Sequence, residues 1–190
     1  MKTTHRNRKG FTLIELLVVM AIIAVLASAG FAAGNAAIQK ARRTTALATA
    51  TAIETAVNNF YTEYGTLPAE SPSAPPIKTD TDLTFLNILL GTETSSSPIN
   101  TRGIKFLSVR EGKGNKNGLI YSGNGNTLQG LYDPWGGGFL VALDHDYDEK
   151  VTAKPSNTDK VLNGRRVAVW SNGADGVKSG GKAADDVKTW

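Results

Sequence analysis

The 190-residue sequence contains no cysteine. Disulfides, thiolate metal sites and cysteine nucleophiles are thereby excluded. A domain of this size in an oxidising compartment often carries a disulfide, so another device must fasten its loops there. Histidine is scarce, with only His5 and His145. His145 stands alone among aspartates, which fits a surface residue better than a catalytic base. Charge is missing altogether from Leu16 to Gln39. A run of that length is long enough to span a bilayer.

Net positive charge is also less than it first looks. The chain has 21 basic and 17 acidic residues, a formal charge of +4. Lys2, Arg6, Arg8 and Lys9 all precede Gly10, and without them 17 basic residues face 17 acidic ones. The basic pI therefore argues little for nucleic acid binding, and no nucleic-acid partner is expected. Most of the 20 glycines lie after residue 90, which predicts a turn-rich C-terminal half.

A basic head followed by an apolar run is a membrane-insertion signal. Residues 11–34 cover 24 positions, roughly 36 Å as a helix and enough to cross the hydrocarbon core. Two features set this run apart from an ordinary secretory signal. Glu15 sits at its start, where an unpaired carboxylate costs several kcal/mol. And Ala27-Ser28-Ala29, a small-residue pattern that suits cleavage, is followed by the still apolar Gly30-Phe31-Ala32-Ala33. The apolar segment is therefore expected to be kept, with any cut falling between Gly10 and Phe11. A plain signal anchor is the simpler reading, but it gives Glu15 no purpose.

The stretch KGFTLIELLVVMAIIAVLA resembles the class III signal of type IV pilins and type II secretion pseudopilins. The resemblance implies that a prepilin peptidase cuts after Gly10 and methylates the new amine on Phe11. It implies that Glu15 pairs with the Phe11 amine of a neighbouring subunit during assembly. Small residues along the helix (Ala21, Ala24, Ala27, Ser28, Gly30, Ala33 and Gly34) allow close helix packing. Many family members carry a proline about twenty residues into the mature helix. Here none precedes Pro68, and Gly30 and Gly34 are the main helix-weakening residues.

The helix is expected to continue past the membrane. Lys40, Arg42 and Arg43 mark the exit. Ile53, Val57, Phe60, Tyr61 and Tyr64 then recur on one face of a 3.6-residue period. Gly65 and Pro68 stop it, giving one helix of about 50 residues. The sequence from Asn58 to Pro68 also resembles the helix end of the major, G-type pseudopilin.

Beyond it, residues 69–82 read as loop. Residues 83–90 read as a helical turn or two ending at Gly91. Residues 104–109 and 119–121 read as strands or extended pieces, and 139–143 and 167–170 as strands. Residues 112–118 form a polar turn. They hold glycine and lysine but lack the spacing and the Ser/Thr of a phosphate-binding loop. Asp144, Asp146 and Asp148 alternate as in a calcium loop. The EF-hand reading fails because the sixth position is Glu149 and the twelfth Pro155. A solvated acidic turn is expected instead.

The order Asp133-Pro134-Trp135-Gly136, strand pair, Ser171-Asn172-Gly173-Ala174-Asp175-Gly176 is similar to the C-terminal half of G-type pseudopilins. There a Ca²⁺ ion ties the last loop. The resemblance implies Asp175 and Asp185 as carboxylate ligands, Asp186 as a third, and carbonyls from Asn172 and Val177. The chain departs from the family by the spacer Lys182-Ala183-Ala184 and by Asn172 where an apolar residue is usual. Asp carboxylates and loop carbonyls suit the six to eight oxygens that Ca²⁺ takes. Gly173, Gly176, Gly180 and Gly181 would let carbonyls turn inward. A polar tail serving only solubility is the alternative.

These readings give an α+β class of the type IV pilin-like kind: a long N-terminal helix, a small antiparallel sheet and a loop-rich C-terminal region. The expected organisation is a leader over 1–10, an anchor over 11–34 and a periplasmic head over 35–190. The expected role is a structural subunit, not an enzyme: the major pseudopilin of a type II secretion system, anchored singly in the inner membrane. Its implied partners are further copies of itself, minor pseudopilins, the prepilin peptidase and the inner-membrane secretion platform. A type IV pilus subunit and a membrane-anchored enzyme or binding domain remain as alternatives.

Overall fold

The computed structural model describes residues 10–69, 76–123, 125, 127–155, 159–176 and 186–190. Two compact units divide the chain, Met1–Ala41 and Arg42–Trp190.

Helix α1 runs Leu13–Tyr64, 52 residues without an interior proline. Thr12 and Glu15 cap its start, and Gly65 closes its end through an N–H bond to the Tyr61 carbonyl at 2.8 Å. Its first part is apolar and exposed, and the helix is long and apolar enough to cross a membrane. In the second unit its inner face is Ala46, Ala50, Ile53, Val57 and Phe60, all fully buried. That spacing of three and four residues is the expected apolar stripe. Its alanines leave room for close packing, whereas burying the Phe60 ring contributes about 1.5–3 kcal/mol.

Against this face lies a four-stranded antiparallel sheet. Its strands are β1 (Ile77–Lys78), β4 (Leu140–Leu143), β7 (Val167–Ser171) and β8 (Val187–Lys188), in the order β1-β4-β7-β8. Strands β4 and β7 are buried on both faces, which explains their unbroken apolar sequences. Val141, Leu143, Val167 and Val169 join Ile53, Val57 and Phe60 in the main core. The alternate residues Leu140, Ala142, Ala168 and Trp170 point the other way. They are covered by Val151, Ala153 and Leu162 of a hairpin formed by β5 (Lys150–Ala153) and β6 (Lys160–Asn163), with Trp190 packed alongside. The sheet is thus a middle layer between helix and hairpin.

Helix α2 (Leu83–Leu90) starts at Asp82, whose side chain accepts from the Phe85 N–H, and ends at Gly91 in a left-handed conformation (φ 69°). A side chain at 91 would also meet the Gly103 carbonyl oxygen at 2.5 Å, so only glycine fits. A second hairpin, β2 (Gly118–Tyr121) with β3 (Leu128–Tyr132), completes the unit.

Several expectations need amendment. The segment 69–82 is not all loop, because Ile77 and Lys78 pair with Val141 and Leu140. Of the two readings open for residues 104–109, the extended piece holds and the strand does not: they form no ladder, and the Phe106 and Leu107 N–H groups bond the Leu89 carbonyl that α2 leaves open. Strands β3, β5, β6 and β8 had no sequence expectation at all.

Candidate functional site

At the N-terminal junction, Gly10, Phe11 and Thr12 precede the helix and are exposed. Thr12 is the helix N-cap. Its backbone N–H donates to Glu15 Oε2 at 2.9 Å and its hydroxyl to the same oxygen at 2.7 Å. The Glu15 N–H returns a bond to Thr12 Oγ1 at 3.3 Å. This is a reciprocal capping box. The Glu15 carboxylate therefore has an internal partner, which sequence reading missed although Thr12-Leu13-Ile14-Glu15 carries the signature. Residues 1–9 of the expected leader lie outside the described residues.

The second candidate region lies off the end of the central sheet where β4 begins and β7 ends. Asp133 shapes it. Its Oδ1 accepts the N–H groups of Trp135, Gly136 and Gly137 at 2.8, 2.7 and 2.9 Å. Its Oδ2 accepts the Ser171 hydroxyl at 2.5 Å, and Ser171 Oγ in turn accepts the Gly173 N–H at 3.1 Å. This chain ties the Asp133-Pro134-Trp135-Gly136 turn to the start of the final loop. The two sequence elements singled out for family resemblance are thus in direct contact.

Between them is a cavity of about 290 Å³ lined by Asp80, Asp133, Asn172 and Asp175 among others. Asp80 Oδ1 is buried there without a hydrogen-bond partner among the described residues. It lies so close to Gly138 that a Cβ at that position would come within 2.4 Å of it. Three carboxylates thus line one cavity, but both Asp133 oxygens are already engaged as acceptors, and among the described residues these three do not gather their oxygens closely enough to share one ion. Of the residues expected to bind Ca²⁺, the cavity brings together Asn172 and Asp175. Asp186 is buried at the start of β8. Its carboxylate lies 3.4 Å from the Lys188 ammonium, and its carbonyl accepts from Arg43 at 3.3 Å. Asp185 and Val177 lie outside the described residues. Asp80 and Asp133 were not foreseen as neighbours of this loop. Asp133 gave a signal as an Asp opening a Pro-Trp-Gly turn, whereas nothing local pointed to Asp80.

The alternating aspartates sit at the opposite end of β4. Carboxylate oxygens of Asp144, Asp146 and Asp148 lie within 4.8 Å of one another. Asp146 and Asp148 are exposed, as expected of a solvated turn. Asp144 is not: it is 2% exposed and accepts the N–H groups of Asp148 and Glu149 at 3.2 and 2.9 Å. Burial pushes its carboxyl above the usual range, and Asp146 beside it adds to the shift. Asp148 goes the other way because the Lys150 ammonium bonds it at 2.8 Å. His145 is half-buried in the same turn.

Residues 5–31 match the family model described as the prokaryotic N-terminal methylation motif. No curated protein and no solved structure matches the chain. The motif is the signal of type IV pilins and pseudopilins. With the apolar helix that follows, it fits a single-pass, membrane-anchored structural subunit processed by a prepilin peptidase.

Proposed function

We propose that this chain is the major pseudopilin of a type II secretion system. In this role the leader is removed after Gly10, Phe11 is methylated, and the head stands in the periplasm. The subunits polymerise through their helices into a filament that moves exported proteins outward. The observation that carries the reading is the methylation motif set directly on a 52-residue helix with an exposed apolar first part.

Each step has residues to perform it. The Gly10–Phe11 bond lies in exposed, non-helical chain, the form a peptidase needs. In the membrane the Glu15 carboxylate is held by Thr12 through Oε2, which lowers the cost of carrying a charge into the apolar segment. The other oxygen is then available to the amine of a neighbouring Phe11. The Asp133-Pro134-Trp135-Gly136 and Ser171–Gly176 elements and the absence of cysteine favour the pseudopilus over a type IV pilus. We further propose structural Ca²⁺ in the final loop, with Asp175 and Asp185 as main ligands, Asp186, Asn172 and Val177 as the remaining family positions, and Asp80 as an added carboxylate. The orphaned Asp80 oxygen supports the fit. The ion would neutralise carboxylates that otherwise repel, and it would fasten the loop without a disulfide.

The test is expression in cells that hold a prepilin peptidase. Intact-mass analysis should show loss of residues 1–10 and gain of one methyl group, and shearing should release filaments. Retention of the leader would sink the reading. Deletion in the native cell separates the systems: loss of protein export supports the pseudopilus, and loss of motility or DNA uptake with export intact assigns the chain to a pilus.

A further inference from the structure

Charge is unevenly spread over the head. Between Arg102 and Gly118 lie five basic residues (Arg102, Lys105, Arg110, Lys113 and Lys116) and one acidic residue, Glu111. Because the chain after Gly10 is neutral, the remainder carries an acidic excess of four. Two of the five cations are engaged: Arg102 pairs with Glu63, and Arg110 bonds the Asn117 side chain and carbonyl. Lys105, Lys113 and Lys116 are exposed and form no ion pair among the described residues.

The complementary surface is the turn after β4. Asp146, Asp148 and Glu149 are exposed around Tyr147, a large aromatic that is 51% exposed. Asp148 is paired with Lys150 at 2.8 Å and Glu149 with Arg166 at 3.9 Å, which leaves Asp146 as the carboxylate of the three with no ion pair among the described residues. Tyr147 and Glu149 are both held in the left-handed region, at φ 58° and 61°. For bulky residues that conformation is costly and persists only where surrounding structure imposes it. Here the imposing contacts are the two backbone N–H bonds to buried Asp144 and the Tyr61 ring 6.3 Å from that of Tyr147. Tyr61 is itself braced by the Arg166 guanidinium 4.5 Å over its face. A rigidly mounted, half-exposed tyrosine with a charged rim has the composition of an interface anchor.

Among the described residues no ion pair joins the two surfaces within one chain. The basic turn lies against the Asp133–Gly137 turn that leads into β4, with the Asn115 carbonyl and the Lys116 side chain beside Gly136. The Tyr147 turn leaves the other end of β4, after Leu143. Complementary patches at opposite ends of one strand suit a heterologous contact, which repeats without closing and builds an open filament.

We propose that the Lys113–Lys116 turn of one copy docks on the Tyr147 turn of a second copy of this chain. Lys113 and Lys116 lie among Asp146, Asp148 and Glu149, and a lysine stem packs on the Tyr147 ring. The contact rests on the reading of the chain as a filament subunit and specifies how its heads meet.

The absence of cysteine makes a clean test possible, because introduced thiols are the only ones. The full-length chain carrying both Lys113→Cys and Asp146→Cys, oxidised in membranes, should give a ladder of covalent multimers. Either single variant should give none, and a mixture of the two should stop at dimers. Lys113→Glu with Lys116→Glu should lower ladder formation between the heads, scored with a His145→Cys and Asn115→Cys pair that leaves Tyr147 in place, by about tenfold or more. Adding Asp146→Lys and Asp148→Lys should restore it. Absence of the ladder in membranes or filaments overturns the contact. Binding of duplex DNA lost in the Lys113→Glu, Lys116→Glu variant, without a ladder, assigns the basic turn to nucleic acid and equally overturns it. Filament release by the wild-type chain reads the functional proposal separately, so filaments without the ladder defeat the contact alone.

Discussion

The Ser171 hydroxyl donates to Asp133 Oδ2 at 2.5 Å, with both residues buried. This bond joins the turn before β4 to the loop after β7. Asp133→Ala removes the shared acceptor of three backbone N–H groups as well. Trp135 and Gly136 are half-buried and Gly137 is exposed, so water can replace part of what their N–H groups lose. The fully buried donor left unpaired is the Ser171 hydroxyl, and the isolated unit 42–190 should lose about 2–3 kcal/mol in denaturant unfolding. Ser171→Ala should lose about 2 kcal/mol, in the range of a hydrogen bond to a charged group. Equal, small losses for both would contradict the network.

Thr12 and Glu15 give a separate prediction. Glu15→Val should insert into the membrane normally, since it removes a charge from an apolar segment, yet release no filaments on shearing. Thr12→Val breaks the hydroxyl bond to Glu15 and weakens the N-cap by about 1 kcal/mol. Filament yield should fall, and Thr12→Ser should restore it. Wild-type yield from Glu15→Val would refute the pairing role.

Asp144 should leave a signature in pH. Its folded-state pKa is raised, chiefly by burial. A raised carboxyl binds its proton more tightly folded than unfolded, so its contribution is fully present below the unfolded value and is lost as pH rises through the folded value. Asp144→Asn stays neutral and escapes that loss, although it gives up one of the two N–H bonds. The melting temperature of Asp144→Asn relative to wild type should therefore improve as pH climbs from about 3 toward 6. A difference independent of pH would refute the assignment.

Calcium should raise the melting temperature of the unit 42–190 relative to chelator. Binding to the folded form alone adds about 2.7 kcal/mol when free ion is 100-fold above its dissociation constant. Mg²⁺ should substitute poorly because it demands tighter octahedral geometry. Asp175→Ala should abolish the response and Asp80→Ala should weaken it. Asp146→Ala, at the other end of β4, should leave it unchanged. Identical melting in calcium and chelator would dispose of the site.

Features that depend on near neighbours along the chain can be read from local pattern. The Gly10–Glu15 junction is a contiguous signal. Helix α1 follows from a proline-free run whose apolar residues recur every three or four positions, with Gly65 at the stop. Helix α2 and strands β4 and β7 were legible because they are short, dense apolar runs. Other features depend on partners far away in the chain. Ile77–Lys78 becomes a strand because β4, more than sixty residues later, offers it an unpaired edge. Lys150–Ala153 and Lys160–Asn163 are half polar, and they become strands because Leu140, Ala142, Ala168 and Trp170 need a cover. The cavity is decided in the same way. Asp80, Asp133, Asn172 and Asp175 lie on three separate loops, and only the pairing of β1 and β7 with β4 brings those loop ends together. Local pattern carries periodicity and caps, whereas long-range pairing is set by which buried faces and open edges remain to be satisfied.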